Sequence, residues 1–401
     1  MSGDLVLRAL PVDDLGEFIA LEALVWGWKA DEGRLPCFRE FLDPRHTRGV
    51  YDGDQLVATH GIAVLPLAVP GGAVLDMAGI TALVIHPLYR GRGLMSVLTE
   101  DAVASAREAG LAVSGGIPIH SRTHLRYGYG FAARYAQVEL DLDAGRELAG
   151  VIDDGRVEYV DHQAALKYLA ELTLRMLEVR NGWVPRPPCT DAYKYAGTSG
   201  RPVDWIVHRS ATGGVDGLAG FRRANSTDEY GRARGTLRIS ELFGVSAAAE
   251  GQLWRTCMAD PLVSRITATR RPVYDPVTAR LAEPRAWRQT VRDDMILRLL
   301  DVPVALAARR YAREDSVVIA VPGEEGRFAL TGGLNSADCR STDEPADLTV
   351  TRSALGAAYL GDVALVDLAA GGQVTEHTPG CLRRADAMFA WSPAPWLPDA
   401  F

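Results

Sequence analysis

The residues most able to carry chemistry lie in a short basic loop between an apolar strand and an amphipathic helix. The strand ends at Leu83–Ile85, and the helical pattern begins at Leu94. Such a loop brings backbone N–H groups and a helix N-terminus to one point, which suits a pyrophosphate group. Two glycines would let the main chain approach the phosphates, and two arginines would add positive charge. These residues are Gly91, Gly93, Arg90 and Arg92.

The same loop could also be a solvated basic turn without a ligand, and its few residues taken alone favour that interpretation. Its surroundings favour a binding site, because an apolar strand precedes it, an apolar helix follows it, and a further apolar run begins at Leu111. The glycine spacing differs from a Rossmann fingerprint, and the Lys-Ser/Thr pair of a P-loop is missing. We therefore expect an anion site of another type.

The elements around this loop predict a mixed α/β unit. Two apolar runs, residues 56–69 and 73–85, are joined by Gly71-Gly72, which predicts a hairpin. Apolar residues over 94–109 then recur on one helical face, and a strand is expected over 111–114. The loop would thus connect a strand to a helix that returns to a neighbouring strand.

Changes in composition along the 401 residues predict three domains. A polar stretch near 142–156 separates the first α/β region from a second with the same order of elements, and the pattern changes again past Trp287. We expect the boundaries 1–141, 142–291 and 292–401. The last residues are irregular and rich in aromatic side chains, so we expect this tail to be packed against the protein.

Composition also excludes several classes of function. The formal net charge of -8 argues against a nucleic-acid-binding surface. No apolar run reaches the roughly 18 residues that span a bilayer, and the first residues lack the pattern of a signal peptide. The five cysteines are far apart and show no spacing typical of a metal site. We expect a cytoplasmic protein with no metal and with neither a membrane nor a nucleic acid as partner.

Residues 90–95 resemble the R-x-x-G-x-G/A pyrophosphate motif of the GNAT superfamily of N-acetyltransferases, with Met95 at the last, normally small, position. Tyr127-Gly128-Tyr129-Gly130 is similar to the aromatic-Gly-Tyr-Gly signature of the enhanced intracellular survival (Eis) family. Other similar segments are spread over the whole chain: Ser240-Glu241-Leu242, Ala286-Trp287-Arg288, Leu355-Gly356 and Leu382-Arg383-Arg384.

The resemblance implies an α/β (α+β) fold with tandem GNAT-like domains, the second degenerate, followed by a domain similar to sterol carrier proteins. It implies transfer of an acetyl group from acetyl-CoA to an amine, best known on aminoglycosides, by a homohexamer. The implied cofactor contacts are Leu83, Val84, Ile85, Arg90, Gly91, Arg92, Gly93, Leu94, Met95, Ser96, Ile119 and His120.

Two catalytic roles follow from the same resemblance. The general base of the family is the C-terminal carboxylate, which in this chain is that of Phe401. The general acid is a tyrosine three residues before the aromatic-Gly-Tyr-Gly signature, and His124 stands at that position. The alternative is that this position has lost its role and that Tyr127, Tyr129 or solvent donates the proton.

The acceptor is less well defined by the resemblance. The acidic residues of the aminoglycoside pocket are absent, since Gly27 and Ala400 stand near their places, although other carboxylates lie nearby in the sequence. One alternative is another acyl group or a biosynthetic acceptor on the same fold. Another is a lipid-binding protein without catalysis, against which the retained basic loop argues. The nearby carboxylates are Glu22, Asp31, Glu32 and Asp399.

Overall fold

The computed structural model describes residues 5–30, 33, 35–150, 155–195, 202–323 and 326–399. Within these residues the chain forms two compact units. The first contains the described residues up to Ala132 and those from Met295 to Ser392. The second contains those from Ala133 to Asp294 and from Pro393 to Asp399.

In chain order, the strands are β1 (Leu5–Ala9), β2 (Arg48–Asp52), β3 (Gln55–Ala68), β4 (Val74–Ile85), β5 (Val113–Gly116), β6 (Gly130–Phe131), β7 (Arg134–Asp141), β8 (Arg156–Val160), β9 (Asp204–Arg209), β10 (Val215–Ala224), β11 (Gly235–Gly244), β12 (Val263–Arg271), β13 (Trp287–Asp293), β14 (Ile296–Leu299), β15 (Asp315–Ala320), β16 (Arg327–Gly332), β17 (Ala337–Thr342), β18 (Leu348–Val350) and β19 (Val374–Glu376). The helices are α1 (Leu15–Trp26), α2 (Leu35–Phe41), α3 (Leu94–Glu108), α4 (Ser121–Arg126), α5 (His162–Val179), α6 (Pro188–Lys194), α7 (Ala247–Met258), α8 (Val302–Ala308), α9 (Arg352–Ala358), α10 (Leu365–Ala370) and α11 (Cys381–Phe389).

The first sheet of the first unit has the described strand order β1-β2-β3-β4-β5-β14-β6. The predicted hairpin is confirmed, since β3 and β4 pair antiparallel across the turn at residues 69–73. The predicted helix is confirmed as α3, but the strand expected at 111–114 begins two residues later, at Val113. The reason is local: the amide of Leu111 bonds to the carbonyl of Ala106, so Leu111 serves the helix cap.

Helix α3 crosses between β4 and β5, which are parallel neighbours. Its side chains Leu98, Ala102 and Ala106 are fully buried. One polar contact also joins the helix to the sheet: Nε2 of the buried His60 on β3 lies 2.7 Å from Oδ2 of Asp101. Burial of this apolar face against the sheet fixes the start of the helix beside the end of β4.

Strand β14 enters the first sheet between β5 and β6, although the sequence separates it from both by more than 160 residues. Helix α9 packs against this place, and two glycines permit the close approach. A Cβ atom at Gly130 would collide with the main chain of Ser353, and one at Gly356 would collide with the carbonyl of Leu297. The glycine that ends the Tyr-Gly-Tyr-Gly signature is therefore a packing residue.

The remaining sheet of the first unit has the described order β17-β16-β15-β18-β19 and is accompanied by α8 to α11. Its core contains Arg309, which is fully buried. The guanidinium of Arg309 donates to backbone carbonyls, including that of Phe389 at 2.7 Å, and it also lies over the ring of Tyr311. This arginine holds α11 and the loop after α8 together.

The second unit has the described order β13-β7-β12-β11-β10-β9-β8. Its β11–α7–β12 segment repeats the parallel crossover of β4–α3–β5. The connection differs, because only Val245 and Ser246 separate β11 from α7, and Ser246 caps the helix with its own side chain. No residues are left there for a phosphate loop, so the second crossover keeps the fold without the anion site.

Candidate functional site

The parallel pair β4 and β5 separates toward its carboxyl end. The register runs from Met77↔Val113 to Gly79↔Gly115 and stops there, while β4 continues for six more residues to Ile85. In the described part of the chain, β3 is the only strand neighbour of this second half of β4. Backbone N–H and C=O groups on the other edge are therefore available to a ligand lying in the gap.

A β-bulge changes the direction of the main chain within the second half of β4, and the sequence did not predict it. Ala82 has φ 52°, a left-handed conformation that non-glycine residues seldom adopt. The β3–β4 register shifts between Thr59 and Gly61, and the Thr59 hydroxyl donates to the carbonyl of Ala82 at 2.9 Å. Bulges next to active sites commonly redirect backbone groups. No local feature of the sequence indicates it, because alanine has no preference for this conformation.

The basic loop joins β4 to α3 as the sequence predicts. Gly91 and Gly93 have φ values of 78° and 80°, and nothing lies within 4 Å of the position of a Cβ atom at either residue. Gly93 is the N-cap of α3, and no side chain caps the first turn of the helix there. Positive φ, open space at both glycines and an uncapped helix N-terminus together form a cradle for an anion.

The side chains around this loop are fixed by a few contacts. The Tyr89 hydroxyl donates to Asp52 at 2.7 Å, and the guanidinium of Arg92 lies 4.7 Å from the centre of the Tyr89 ring. Met95, at the normally small position, packs with Leu83 against the apolar cluster that contains Ile85. The larger side chain is thus accommodated by the core.

The remaining predicted contacts follow β5. Ile119 and His120 are exposed and lie in the segment between β5 and α4. Residues 83–85, 90–96 and 119–120 therefore come from three segments that meet at the carboxyl ends of the two parallel strands. This edge is where ligands bind in open α/β sheets.

His124 lies on the short helix α4 and is half-buried. Burial, reinforced by the neighbouring His120, lowers the pKa of the imidazole below its usual 6.5. Its ring centre is 6.0 Å from that of Tyr129, in an edge-to-face arrangement. A lowered pKa means that the neutral imidazole predominates at pH 7, so His124 is a less populated acid than an exposed histidine.

The two tyrosines of the signature are in different environments. The hydroxyl of Tyr127 lies 2.7 Å from that of Ser96, in the first turn of α3. The Tyr129 hydroxyl lies 2.8 Å from that of Ser114 on β5, and burial raises its pKa to about 12. Tyr127 is thus held at the helix that follows the basic loop, whereas Tyr129 is enclosed in the core.

Phe401, the predicted source of the general base, lies outside the described residues, but the tail before it is described as part of the second unit. Trp396 and Leu397 are buried, which confirms the predicted packing of the tail. The indole N–H of Trp396 donates to the carbonyl of Arg270 at 2.7 Å, and its ring contacts that of Trp183.

A buried network of charges holds Asp399 in the same unit. Its carboxylate is 2.5 Å from Arg186 and 2.6 Å from Lys194. Both cations also contact Glu241, each at 3.0 Å. Arg186 pairs with Asp191 as well, and desolvation raises the pKa of that carboxyl to about 6. No local pattern in the sequence indicates this network.

Comparison with protein families agrees with this architecture. Residues 6–132 match the model of an acetyltransferase (GNAT) domain, residues 182–299 match a second model with that description, and residues 302–398 match a sterol carrier protein domain. The predicted fold class is confirmed. Among the described residues, none of the helices has the length and apolar character needed to cross a membrane.

Individual relatives narrow the assignment. The chain is 32% identical over 366 residues to an uncharacterised N-acetyltransferase of Streptomyces avermitilis, with 88% of each chain covered. It is 30% identical over 358 residues to the N-acetyltransferase Eis of Mycobacterium bovis, with 85% of each covered. The solved structure of Eis1 from Mycobacterium abscessus has the same fold, with a TM-score of 0.87 at 24% identity over 99% of this chain and 100% of that one. The chain is therefore an acyltransferase and belongs to the Eis family of GNAT N-acetyltransferases.

Proposed function

We propose that this N-acetyltransferase takes its acetyl group from acetyl-CoA and passes it to an amine of a small molecule. The observation that carries the proposal is the combination of the β4–β5 gap with the open cradle at Gly91 and Gly93. The β4–β5 gap offers the backbone amides of an edge strand to the extended pantetheine chain of the cofactor. The cradle offers a helix N-terminus to its pyrophosphate.

The residues present fit coenzyme A. The main chain from Leu83 to Ile85 would hold the pantetheine arm along the free edge of β4. The loop and helix start at residues 90–96 would hold the pyrophosphate, and Ile119 with His120 would line the other side of the gap. The thioester of acetyl-CoA supplies an activated acyl group, so the chain needs only to orient it, stabilise negative charge and move protons.

The proposed proton transfers involve two residues. The Phe401 carboxylate takes a proton from the acceptor amine, directly or through water. His124 gives a proton to the leaving thiolate, which is a weak demand because a thiol has a pKa of about 8.5. The rival donor is Tyr127, because its hydroxyl is held beside the start of α3 by Ser96. Tyr129 is a poorer donor, because its hydroxyl is buried and bonded to Ser114.

Two features bear on the acceptor. Of the carboxylates that could replace the missing acidic groups, Glu22 is buried and Asp399 is paired with Arg186 and Lys194. Asp31 and Glu32 lie outside the described residues. A polycationic aminoglycoside needs several available carboxylates. These observations favour an amine of low charge, such as that of another natural product, over an aminoglycoside.

The resemblance also leads us to propose a homo-oligomer with six subunits, and the composition of the chain leads us to propose a cytoplasmic location. Light scattering of the purified chain tests the first part. A mass near 260 kDa, about six times the 43.3 kDa of one chain, supports the hexamer, and a 43.3 kDa particle at micromolar concentration excludes it.

The decisive experiment is a transfer assay with acetyl-CoA against a panel of amines that ranges from monoamines to aminoglycosides, with products identified by mass spectrometry. Acetylated product with release of free thiol supports the proposal. Propionyl-CoA in place of acetyl-CoA tests the alternative of another acyl group. A binding assay with a long-chain fatty acid tests the lipid-binding alternative. Fatty-acid binding without any acyl transfer would instead favour the non-catalytic alternative.

A further inference from the structure

Two cavities in the first unit are lined by residues of α3, of α4 with the turn after it, of β14 and of α9. One has a volume of about 390 Å³ and the other about 450 Å³. They share three lining residues, Glu100, Tyr127 and Arg298. None of the predicted cofactor contacts lines either cavity, and neither does His124.

The cavities begin close to the proposed pyrophosphate cradle. Tyr127, which lines both, is bonded through its hydroxyl to Ser96 in the first turn of α3. Glu100 is four residues farther along the helix, a displacement of about 6 Å along its axis. A ligand whose pyrophosphate lies at the helix N-terminus could therefore extend directly into this space.

The lining is rich in guanidinium groups. Arg126, Arg298 and Arg352 line the first cavity, and Arg107 lines the second with Arg298. Backbone carbonyls orient three of these side chains: Arg298 donates to Tyr127 at 2.7 Å, Arg107 donates to Leu300 at 3.3 Å, and Arg352 donates to Gly323. Guanidinium groups held in this way suit a phosphate group, because they can form two parallel hydrogen bonds to its oxygens.

The rest of the lining suits a flat ring. Tyr127 lines both cavities, Leu125, which is 42% exposed, lines the first, and Val103 and Ala104 on α3 line the second. An aromatic face with aliphatic neighbours can stack a purine. A Tyr127 ring that does so lies at the opposite end of coenzyme A from the thiol, so in this arrangement Tyr127 is not the proton donor. Glu100 is the acidic group of the lining, and its carboxylate can accept hydrogen bonds from an amino or hydroxyl group.

We propose that these cavities bind the 3′-phosphoadenosine half of coenzyme A, with Arg126, Arg298 and Arg352 contacting the 3′-phosphate. The inference rests on the proposed use of acetyl-CoA and extends it to a specificity site. Arg298 and Arg352 come from β14 and α9, so the part of the chain beyond residue 295 contributes to cofactor recognition. The enzyme then distinguishes coenzyme A from its 3′-dephospho form.

The test measures binding of coenzyme A and of 3′-dephospho-coenzyme A by calorimetry at one fixed salt concentration. The wild-type protein should bind coenzyme A more tightly by on the order of tenfold, as expected for charge-assisted hydrogen bonds to one phosphate. Arg126→Gln and Arg352→Gln should each remove most of this preference for coenzyme A. Their affinity for the dephospho form should stay within about twofold of the wild-type value. These residues are chosen first because the buried Arg298 also supports the fold.

Two controls separate the outcomes. Arg122 is an exposed arginine on α4, the helix that carries Arg126, and it does not line either cavity. Arg122→Gln should therefore leave the ratio of the affinities for the two forms of coenzyme A unchanged. Adenosine 3′,5′-bisphosphate should compete with coenzyme A, whereas inorganic phosphate at the same concentration should not. A wild-type protein that binds both forms equally, or variants that keep the wild-type ratio, would overturn this inference and leave the proposed function standing. Absence of any coenzyme A binding would instead remove the proposed function and this inference with it.

Discussion

Arg186 and Asp399 form an ion pair of 2.5 Å in the second unit, and the arginine side chain is 5% exposed. The pair joins the segment before α6 to the tail, two residues before Phe401. Because Arg186 is also bonded to Asp191 and Glu241, it cannot shift without disturbing three carboxylates. The described tail, up to Asp399, is thus held within the second unit.

The first prediction concerns Phe401 itself. Deleting it moves the terminal carboxylate back by one residue, and adding a C-terminal tag removes the carboxylate from this position. Each change should lower kcat by on the order of 10² or more, since it removes the proposed general base. Affinity for coenzyme A, measured by calorimetry, should not change. A tagged enzyme with the rate of the untagged one would show that another group accepts the proton.

The second prediction concerns the network that holds the tail. Lys194→Met removes the contacts to Asp399 and Glu241 and keeps the length of the side chain. It should lower kcat by up to about 10², because a misplacement of about 1 Å can have that effect. The KM for acetyl-CoA should stay constant.

The control for this variant is Lys167→Met on α5, an exposed lysine in the same unit. It should leave both constants unchanged. Equal kcat values for the two variants and the wild type would show that Lys194 has no positioning role.

The third prediction uses two glycines at opposite ends of α3. Gly93 and Gly110 have similar positive φ values, 80° and 74°, and open space at the Cβ position. Alanine at either place should cost about 1–2 kcal/mol of stability from the left-handed conformation. Only Gly93→Ala should also weaken coenzyme A binding, and Gly93→Trp should abolish it. Tight binding by the tryptophan variant would place the pyrophosphate elsewhere.

The fourth prediction separates the two candidate acids by pH. Because burial lowers the pKa of His124, its protonated fraction falls as pH rises through a value below 6.5. If His124 is the acid, kcat should decrease across that range, and His124→Phe should lose both activity and this limb. If Tyr127 is the donor instead, the rate should not follow the titration of His124, and His124→Phe should leave the pH profile unchanged.

Measuring rate against pH for His124→Phe, His124→Tyr and Tyr127→Phe decides between the two residues. A phenylalanine variant at position 124 with near-normal turnover and an unchanged alkaline limb would end the role of His124. NMR titration of the wild-type imidazole gives its pKa independently of catalysis.

The fifth prediction concerns stability of the first unit. Gly356→Ala places a Cβ atom against the carbonyl of Leu297, where backbone on both sides leaves no room to relax. The free energy of unfolding should fall by about 1–3 kcal/mol, as for other overpacked sites. Gly371→Ala, at a position with ordinary φ and ordinary contacts, should change stability by less than about 1 kcal/mol. Equal chemical denaturation curves for the two variants would contradict the close packing of α9 on β14.

The sequence by itself was sufficient for features that depend on neighbouring residues. The β3–β4 hairpin, the basic loop and α3 follow from local alternation, glycine placement and helical periodicity, so they could be predicted. The family could be identified because the loop and the Tyr-Gly-Tyr-Gly signature are short and contiguous. The aromatic residues of the tail likewise predicted its burial.

Only the tertiary structure decided the features that join distant residues. The place of β14 between β5 and β6 is one such feature. Arg298 meets the carbonyl of Tyr127 across 171 positions, and Arg186 meets Asp399 across 213. The bulge at Ala82 depends on the register with β3. Such contacts are set by how sheets and helices pack, and the free energy of packing is shared among many residues, so no local pattern specifies them.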